Sequence, residues 1–293
     1  MQGVFPAIIT PFKNGEVNYE GLEQNINFLI NNGVSGIVSV GTTGESPTLT
    51  YDEHKKIIEK SVEICNGKIE VIAGTGSNST NEAIELSQFA EDVGADALLL
   101  ITPYYNKPSQ EGLKQHFSKI AQSTNIPIVL YNVPSRTGVN LTPETVKYLF
   151  NEYSNITTIK EANPDLSHVS DIINSCNISV LSGNDELTLP IISLGGKGVI
   201  SVVANIFPKE FVEMVNLANN GKFEEARAIH YSLFNVMKSL FIETNPIPIK
   251  TAMNILGMPA GELRLPLCEM EQQNKAKLEK ALNDYLKISS NKI

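Results

Sequence analysis

PIVLYNV at 127–133 and ITTIKEA at 156–162 decide the architecture. Both are short, rich in β-branched residues and apolar almost without interruption. Such runs belong to strands covered on both faces, as in a parallel sheet, rather than to strands with one wet face. The chain between them is long enough for one crossover helix. Six further runs of the same kind lie on either side: VFPAIIT (4–10), GIVSVG (36–41), EVIAGTG (70–76), ALLLITP (97–103), SVLSGND (179–185) and GVISVVAN (198–205). Amphipathic stretches of helical period alternate with them, for example YEGLEQNINFLINN (19–32) and DEHKKIIEKSVEIC (52–65). Gly33, Gly94 and the pair Gly195 and Gly196 stand just before strands, where a helix stops and the chain re-enters the sheet. Eight such units predict an α/β fold, a closed (β/α)8 TIM barrel over residues 1–222. Residues 223–293, of helical character, are expected to pack on the barrel as an appended segment. An open doubly wound sheet is the competing architecture; no GxGxxG follows the first run, which argues against it.

Composition narrows the function. Of 293 residues, 42% are hydrophobic and 19% charged, which excludes wholesale disorder. The net charge of −9 argues against a nucleic-acid partner but permits a small anionic substrate, because one local cation reverses the field inside a pocket. Cys65, Cys176 and Cys268 are odd in number and far apart, so a reducing, cytoplasmic setting is expected and neither a disulfide framework nor a zinc knuckle. No leader pattern and no apolar run of membrane-spanning length is seen, so no membrane partner is expected.

Barrel enzymes place their chemistry at the C-terminal ends of the strands. Lys160 ends the otherwise uncharged run ITTIK. Strand alternation places Ile156, Thr158 and Lys160 on one face and Ile159 on the other. A lysine in a barrel lumen is desolvated, which favours the neutral nucleophilic amine that a Schiff base requires. The competing reading is a lysine leaning out of the strand end or pairing with Glu161. Tyr131 ends the neighbouring strand, offering a phenol for proton transfer at the same rim, or simply an aromatic packing the top layer. Arg136 follows in NVPSRTG, with a guanidinium suited to a substrate carboxylate or to a surface ion pair. GTTGE (41–45) supplies backbone donors and two hydroxyls but is not a Walker loop. His54, His116, His168 and His230 lie in helical stretches without metal-ligand spacing; they read as solvated helix positions, and no metal is expected.

Taken together, GTTGES (41–46), TPYYNKPSQEG (102–112), YNVPSRTG (131–138), IKEA (159–162), LSGND (181–185) and GVISVVAN (198–205) resemble the dihydrodipicolinate synthase family of pyruvate-dependent Schiff-base aldolases. NPIPIK (245–250) and RLPL (264–267) extend the likeness along essentially the whole chain. The resemblance implies condensation of pyruvate with aspartate 4-semialdehyde to 4-hydroxy-tetrahydrodipicolinate, in diaminopimelate and lysine biosynthesis. Lys160 would form the imine, with Tyr131 as general acid and base. Protons would pass through Thr43 to Tyr105, contributed by a neighbouring subunit. Thr42 and Thr43 would hold the pyruvate carboxylate, and Arg136 that of the second substrate. Gly183 and Ile200 would line the pocket. No cofactor is implied, because the lysine supplies the electron sink. The family implies a homotetramer built as a dimer of dimers. It also implies lysine as an effector, bound near Ser46, Tyr51, His54, Asn78, Glu82 and Tyr104; Tyr51 departs from the histidine of lysine-sensitive members. The sister activities, sialic-acid lyase and 2-keto-3-deoxy-sugar-acid aldolase, tend to carry Ser in place of Thr42 and usually lack Arg136. A catalytically silent barrel is the remaining alternative, and it predicts loss of one or more of Lys160, Tyr131, Thr43, Tyr105 and Arg136, all of which are present.

Overall fold

All eight apolar runs form parallel strands in the computed structural model, which describes residues 1–290 and side chains to residue 287. They are β1 (Gly3–Pro6), β2 (Gly36–Ser39), β3 (Glu70–Gly74), β4 (Ala97–Ile101), β5 (Ile128–Asn132), β6 (Ile156–Glu161), β7 (Ser179–Ser182) and β8 (Gly198–Ser201). Each strand pairs with its sequence neighbours from β2 to β8, and β8 pairs with β1. The last seam, between β1 and β2, closes through a parallel bridge of Ala7 to Val38, with the Ile8 amide donating to the Val38 carbonyl at 3.0 Å. The result is the (β/α)8 barrel. Most strands end before the apolar run does, because the last residues of each run turn away to build the rim. Gly198 opens β8 for a steric reason: a Cβ there would lie 1.9 Å from the Gly3 carbonyl oxygen.

The crossover helices are α1 (Tyr19–Asn31), α2 (Tyr51–Cys65), α3 (Thr80–Asp92), α4 (Gln110–Ala121), α5 (Pro143–Glu152), α6 (Leu166–Ser175) and α7 (Thr188–Ser193). Their starts are encoded locally. Thr50 and Glu53 form a reciprocal capping box on α2, and Ser79, Ser109, Thr142 and Asp165 cap α3 to α6. Two apolar layers result. Ile128, Leu130, Ile159 and Val180 face the helices, whereas Phe5, Val38, Ile72, Leu99, Val129, Leu181 and Ile200 fill the lumen. Ile156 departs from simple alternation. It joins Ile159 in the outer layer rather than Thr158 and Lys160, because the β5–β6 register shifts between Ile128 and Val129.

Four longer helices follow β8: α8 (Pro208–Asn219), α9 (Phe223–Ser239), α10 (Ile247–Ile255) and α11 (Gln272–Ser290). Phe211, Leu233, Met237, Met253, Leu278 and Leu282 from these helices share one core with Val4 and Val199, so they cover the β8–β1 seam. Phe207 and Tyr285 stack edge to face across it. The histidines are not the solvated positions expected from their helices: His116, His168 and His230 are buried and His54 is partly buried. Three sit where a helix meets another element, His116 against Thr80, His54 against the Gly74 carbonyl and His168 against Glu161, whereas His230 contacts Tyr231 and Phe234 of its own helix. Among the described residues no helix is long and apolar enough to cross a membrane.

Candidate active site

Lys160 and Tyr131 are direct partners in the β5–β6 register, and both face the lumen. Lys160 is 7% exposed, and its Nζ lies 4.0 Å from the centroid of the Tyr131 ring. The floor beneath them is the apolar lumen, so the amine is held off from water and against the phenol's π face. Glu161 is not the partner of Lys160. Alternation sends it to the opposite face, where its carboxylate accepts from Asn132 Nδ2 at 3.0 Å and the Asn163 amide at 2.7 Å. His168 Nε2 on α6 stands 3.4 Å from the same carboxylate. Asn132 in turn donates to Asn140 and accepts from the Leu141 amide. A polar network centred on the fully buried Asn132 and Glu161 therefore locks the two strands one residue beyond the lysine and tyrosine.

The turn after β2 carries Thr42 and Thr43. Val40 and Glu45 adopt φ of 50° and 56°, left-handed values uncommon for residues with side chains. That conformation is held from far along the chain. Lys250 Nζ on α10 donates to Glu45 Oε1 at 2.7 Å and to the Thr10 carbonyl at 3.0 Å, with both side chains essentially unexposed. The Arg264 amide donates to Glu45 Oε2 at 3.1 Å. Asn245 joins the two carboxylate-binding candidates: its Nδ2 donates to Thr43 Oγ1 at 3.0 Å, and its carbonyl accepts from Arg136 Nη2 at 3.1 Å. Arg136 is exposed and has no acidic partner among the described residues.

On the far side of Lys160, the Gly183 amide donates to the Glu161 carbonyl at 2.7 Å. A Cβ on Gly183 would meet Ala162 Cβ at 2.8 Å, so only glycine lets β7 approach this closely. Ile200 lies in the lumen. Asp185 is buried; its Oδ2 accepts from the Val202 and Val203 amides at 3.1 and 3.0 Å.

A cavity of about 580 Å3 opens at this rim. Thr42, Tyr131 and Arg136 line it, and so do Ser46, Tyr51, His54, Glu82 and Tyr104, so five of the six effector candidates share one opening with Tyr131; Lys160, Thr43 and Asn78 are not lining residues. His54 donates to or accepts from the Gly74 carbonyl at 2.8 Å, depending on tautomer, and burial lowers its basicity. Burial, then Glu85, pushes the Tyr51 hydroxyl up to about 12. Asn78 Nδ2 donates to the Tyr104 carbonyl at 3.1 Å. Tyr105 is the exception. It is 91% exposed with φ of 73°, and within this chain it does not join Lys160 and Tyr131.

Sequence reading missed Asn245, Lys250 and the Glu45 carboxylate. Their partners lie more than 200 residues away, and no local pattern announces such a bond. NPIPIK and GTTGE were each visible; their contact was not.

An amine and a phenol paired at the C-terminal rim of a (β/α)8 barrel are the groups that a lyase of the Schiff-base type requires. The model of the dihydrodipicolinate synthetase family matches residues 1–285, and the chain belongs to that family. It is 82% identical to the 4-hydroxy-tetrahydrodipicolinate synthase of Methanococcus aeolicus, over 97% of this chain and 99% of that one. The solved dihydrodipicolinate synthase from Aquifex aeolicus is 51% identical with a TM-score of 0.96, covering 97% of this chain and 98% of that one. A third relative, the enzyme of Cyanidioschyzon merolae solved with lysine bound, is 40% identical with a TM-score of 0.95, covering 97% and 98%.

Proposed function

We propose that this chain condenses pyruvate with aspartate 4-semialdehyde through a Schiff base on Lys160, yielding 4-hydroxy-tetrahydrodipicolinate for diaminopimelate and lysine biosynthesis. The observation that carries the reading is the Lys160 amine, buried and 4.0 Å from the Tyr131 ring centroid at the rim of an apolar lumen.

The chemistry follows from the groups present. The neutral Lys160 amine adds to the keto carbon of pyruvate; one proton is taken up and one water leaves, giving a protonated imine. The imine withdraws electrons, so the pyruvate methyl loses a proton and becomes an enamine carbon nucleophile. That carbon attacks the aldehyde, whose oxygen takes a proton. The amine of the second substrate then displaces Lys160 and closes the ring. Tyr131 serves as acid and base for these transfers, in contact with solvent through Thr43 and the partner subunit's Tyr105. Thr42 and Thr43 hold the pyruvate carboxylate. Arg136 takes the carboxylate of the semialdehyde, and its lack of an acidic partner supports that role. Gly183 and Ile200 shape the pocket, and the lysine itself is the electron sink.

The C-terminal segment, residues 223–293, acts as part of the site, since Asn245 and Lys250 brace the threonine turn. Self-association supplies Tyr105, in keeping with the exposure of that side chain. The pocket beside Ser46, Tyr51, His54, Asn78, Glu82 and Tyr104 takes lysine as an effector, a reading supported by the lysine-bound relative. A cytoplasmic setting fits the three free cysteines.

The test is a coupled assay with pyruvate and aspartate 4-semialdehyde, run beside borohydride treatment in the presence of pyruvate. Turnover together with a reduced pyruvyl adduct on Lys160 is expected. No adduct, or turnover of 2-keto-3-deoxygluconate in place of the semialdehyde, overturns the reading.

A further inference from the structure

Imine formation leaves a positive charge above a lumen whose floor includes Phe5, Val38, Ile72, Leu99, Val129, Leu181 and Ile200. A cation there is costly unless an opposite charge is fixed nearby. Asp185 answers that need. It lies just past the end of β7, whose residue Leu181 is the register partner of Lys160, and it is 1% exposed. The Val202 and Val203 amides grip one oxygen, Oδ2, and so fix the orientation of the carboxylate. The other oxygen, Oδ1, is buried and has no hydrogen-bond partner. A native protein rarely leaves such an atom unsatisfied without a use for it.

We propose that Asp185 is a positioning residue for the lysine chemistry, a fixed counter-charge that stabilises the protonated Lys160 amine and the protonated imine formed on it. The inference rests on the Schiff-base reading above and goes beyond it by naming the group that balances the charge. Asp185 makes no ion-pair contact with Lys160, so it acts through the field rather than as a proton donor. Away from bulk water such an interaction is screened less than at an exposed surface. Lys160 is the titratable group whose charge acts on Asp185 among the described residues, and Tyr131 is the titratable group packed against Lys160. Burial raises the Asp185 carboxyl above the ordinary aspartate range; the Ser201 hydroxyl, the two amides and Lys160 pull it back. Such a group ionises most readily when a cation appears within its field, which is what imine formation provides. The step still balances: amine, ketone and one proton give protonated imine and water.

The test compares full-length wild type with Asp185→Asn, which keeps an acceptor oxygen for the Val202 and Val203 amides. Both are treated with pyruvate and borohydride over a pH series, and the adduct is read by intact mass. In the variant the half-saturating pyruvate concentration should rise about tenfold, and the rising limb of trapping should move about one unit towards acid. Circular dichroism and the melting temperature report the fold. If Asp185→Asn does not fold, Asp185→Ser takes its place with the same expectation. An unmoved limb with unchanged half-saturation overturns the proposal. So does a smaller trapped fraction with an unmoved limb, which is what a merely loosened fold produces. Wild type that traps no pyruvate defeats the Schiff-base reading itself; wild type that traps normally beside an unshifted variant defeats the counter-charge alone.

Discussion

At the residue scale, the facing of β6 turns Glu161 away from Lys160 and onto Asn132, Asn163 and His168. That network makes the protein sensitive to pH. The Glu161 carboxylate 3.4 Å away raises the His168 imidazole above its ordinary 6.5, against the opposing pull of burial. A base held above its unfolded value contributes stability in full below that unfolded value, and the contribution fades as pH rises through the raised one. The melting temperature of wild type should therefore exceed that of His168→Gln most clearly below pH 6.5, and the gap should narrow on the alkaline side. Thermal unfolding of both proteins across that range checks it; a gap independent of pH removes His168 from the account.

At the scale of elements, every barrel strand was visible as an apolar run, because β-branched residues covered on both faces leave no other pattern. Helix starts were equally local, as the Thr50 and Glu53 capping box shows. The brace between the β2 turn and α10 was not. Glu45 and Lys250 are 205 positions apart, and each alone resembles a surface charge. Burial lowers the basicity of Lys250 while Glu45 restores part of it, as in a desolvated ion pair. Replacing Lys250 with Met leaves the Glu45 carboxylate buried without its cation. The loss should be about 3–5 kcal/mol of unfolding free energy. Because Glu45 shapes the turn that carries Thr42 and Thr43, KM for pyruvate should rise more than kcat falls. Urea unfolding and steady-state kinetics of Lys250→Met read the two effects separately, and an unchanged KM would break the link between brace and turn.

At the scale of the whole molecule, the chain closes a barrel and covers its β8–β1 seam with four helices, yet it leaves Tyr105 facing outward. A proton relay that includes Tyr105 requires a second copy of the chain. Lys160→Ala and Tyr105→Phe should each be nearly inactive alone. Co-expressed, they should recover roughly a quarter of wild-type activity, since half of the dimers are hybrids and each hybrid holds one whole site. No recovery would mean that the phenol is not supplied across an interface.

The order of strands, the closed barrel and the rim residues Lys160, Tyr131, Thr42, Thr43 and Arg136 were readable from the chain alone, because periodicity and capping are written in neighbouring residues. What only the tertiary structure decided were the facing of Glu161, the burial of His116, His168 and His230, the Glu45–Lys250 brace, and the lone Oδ1 of Asp185. Each depends on which distant segment packs against which, and burial and pairing across hundreds of residues leave no mark in local sequence.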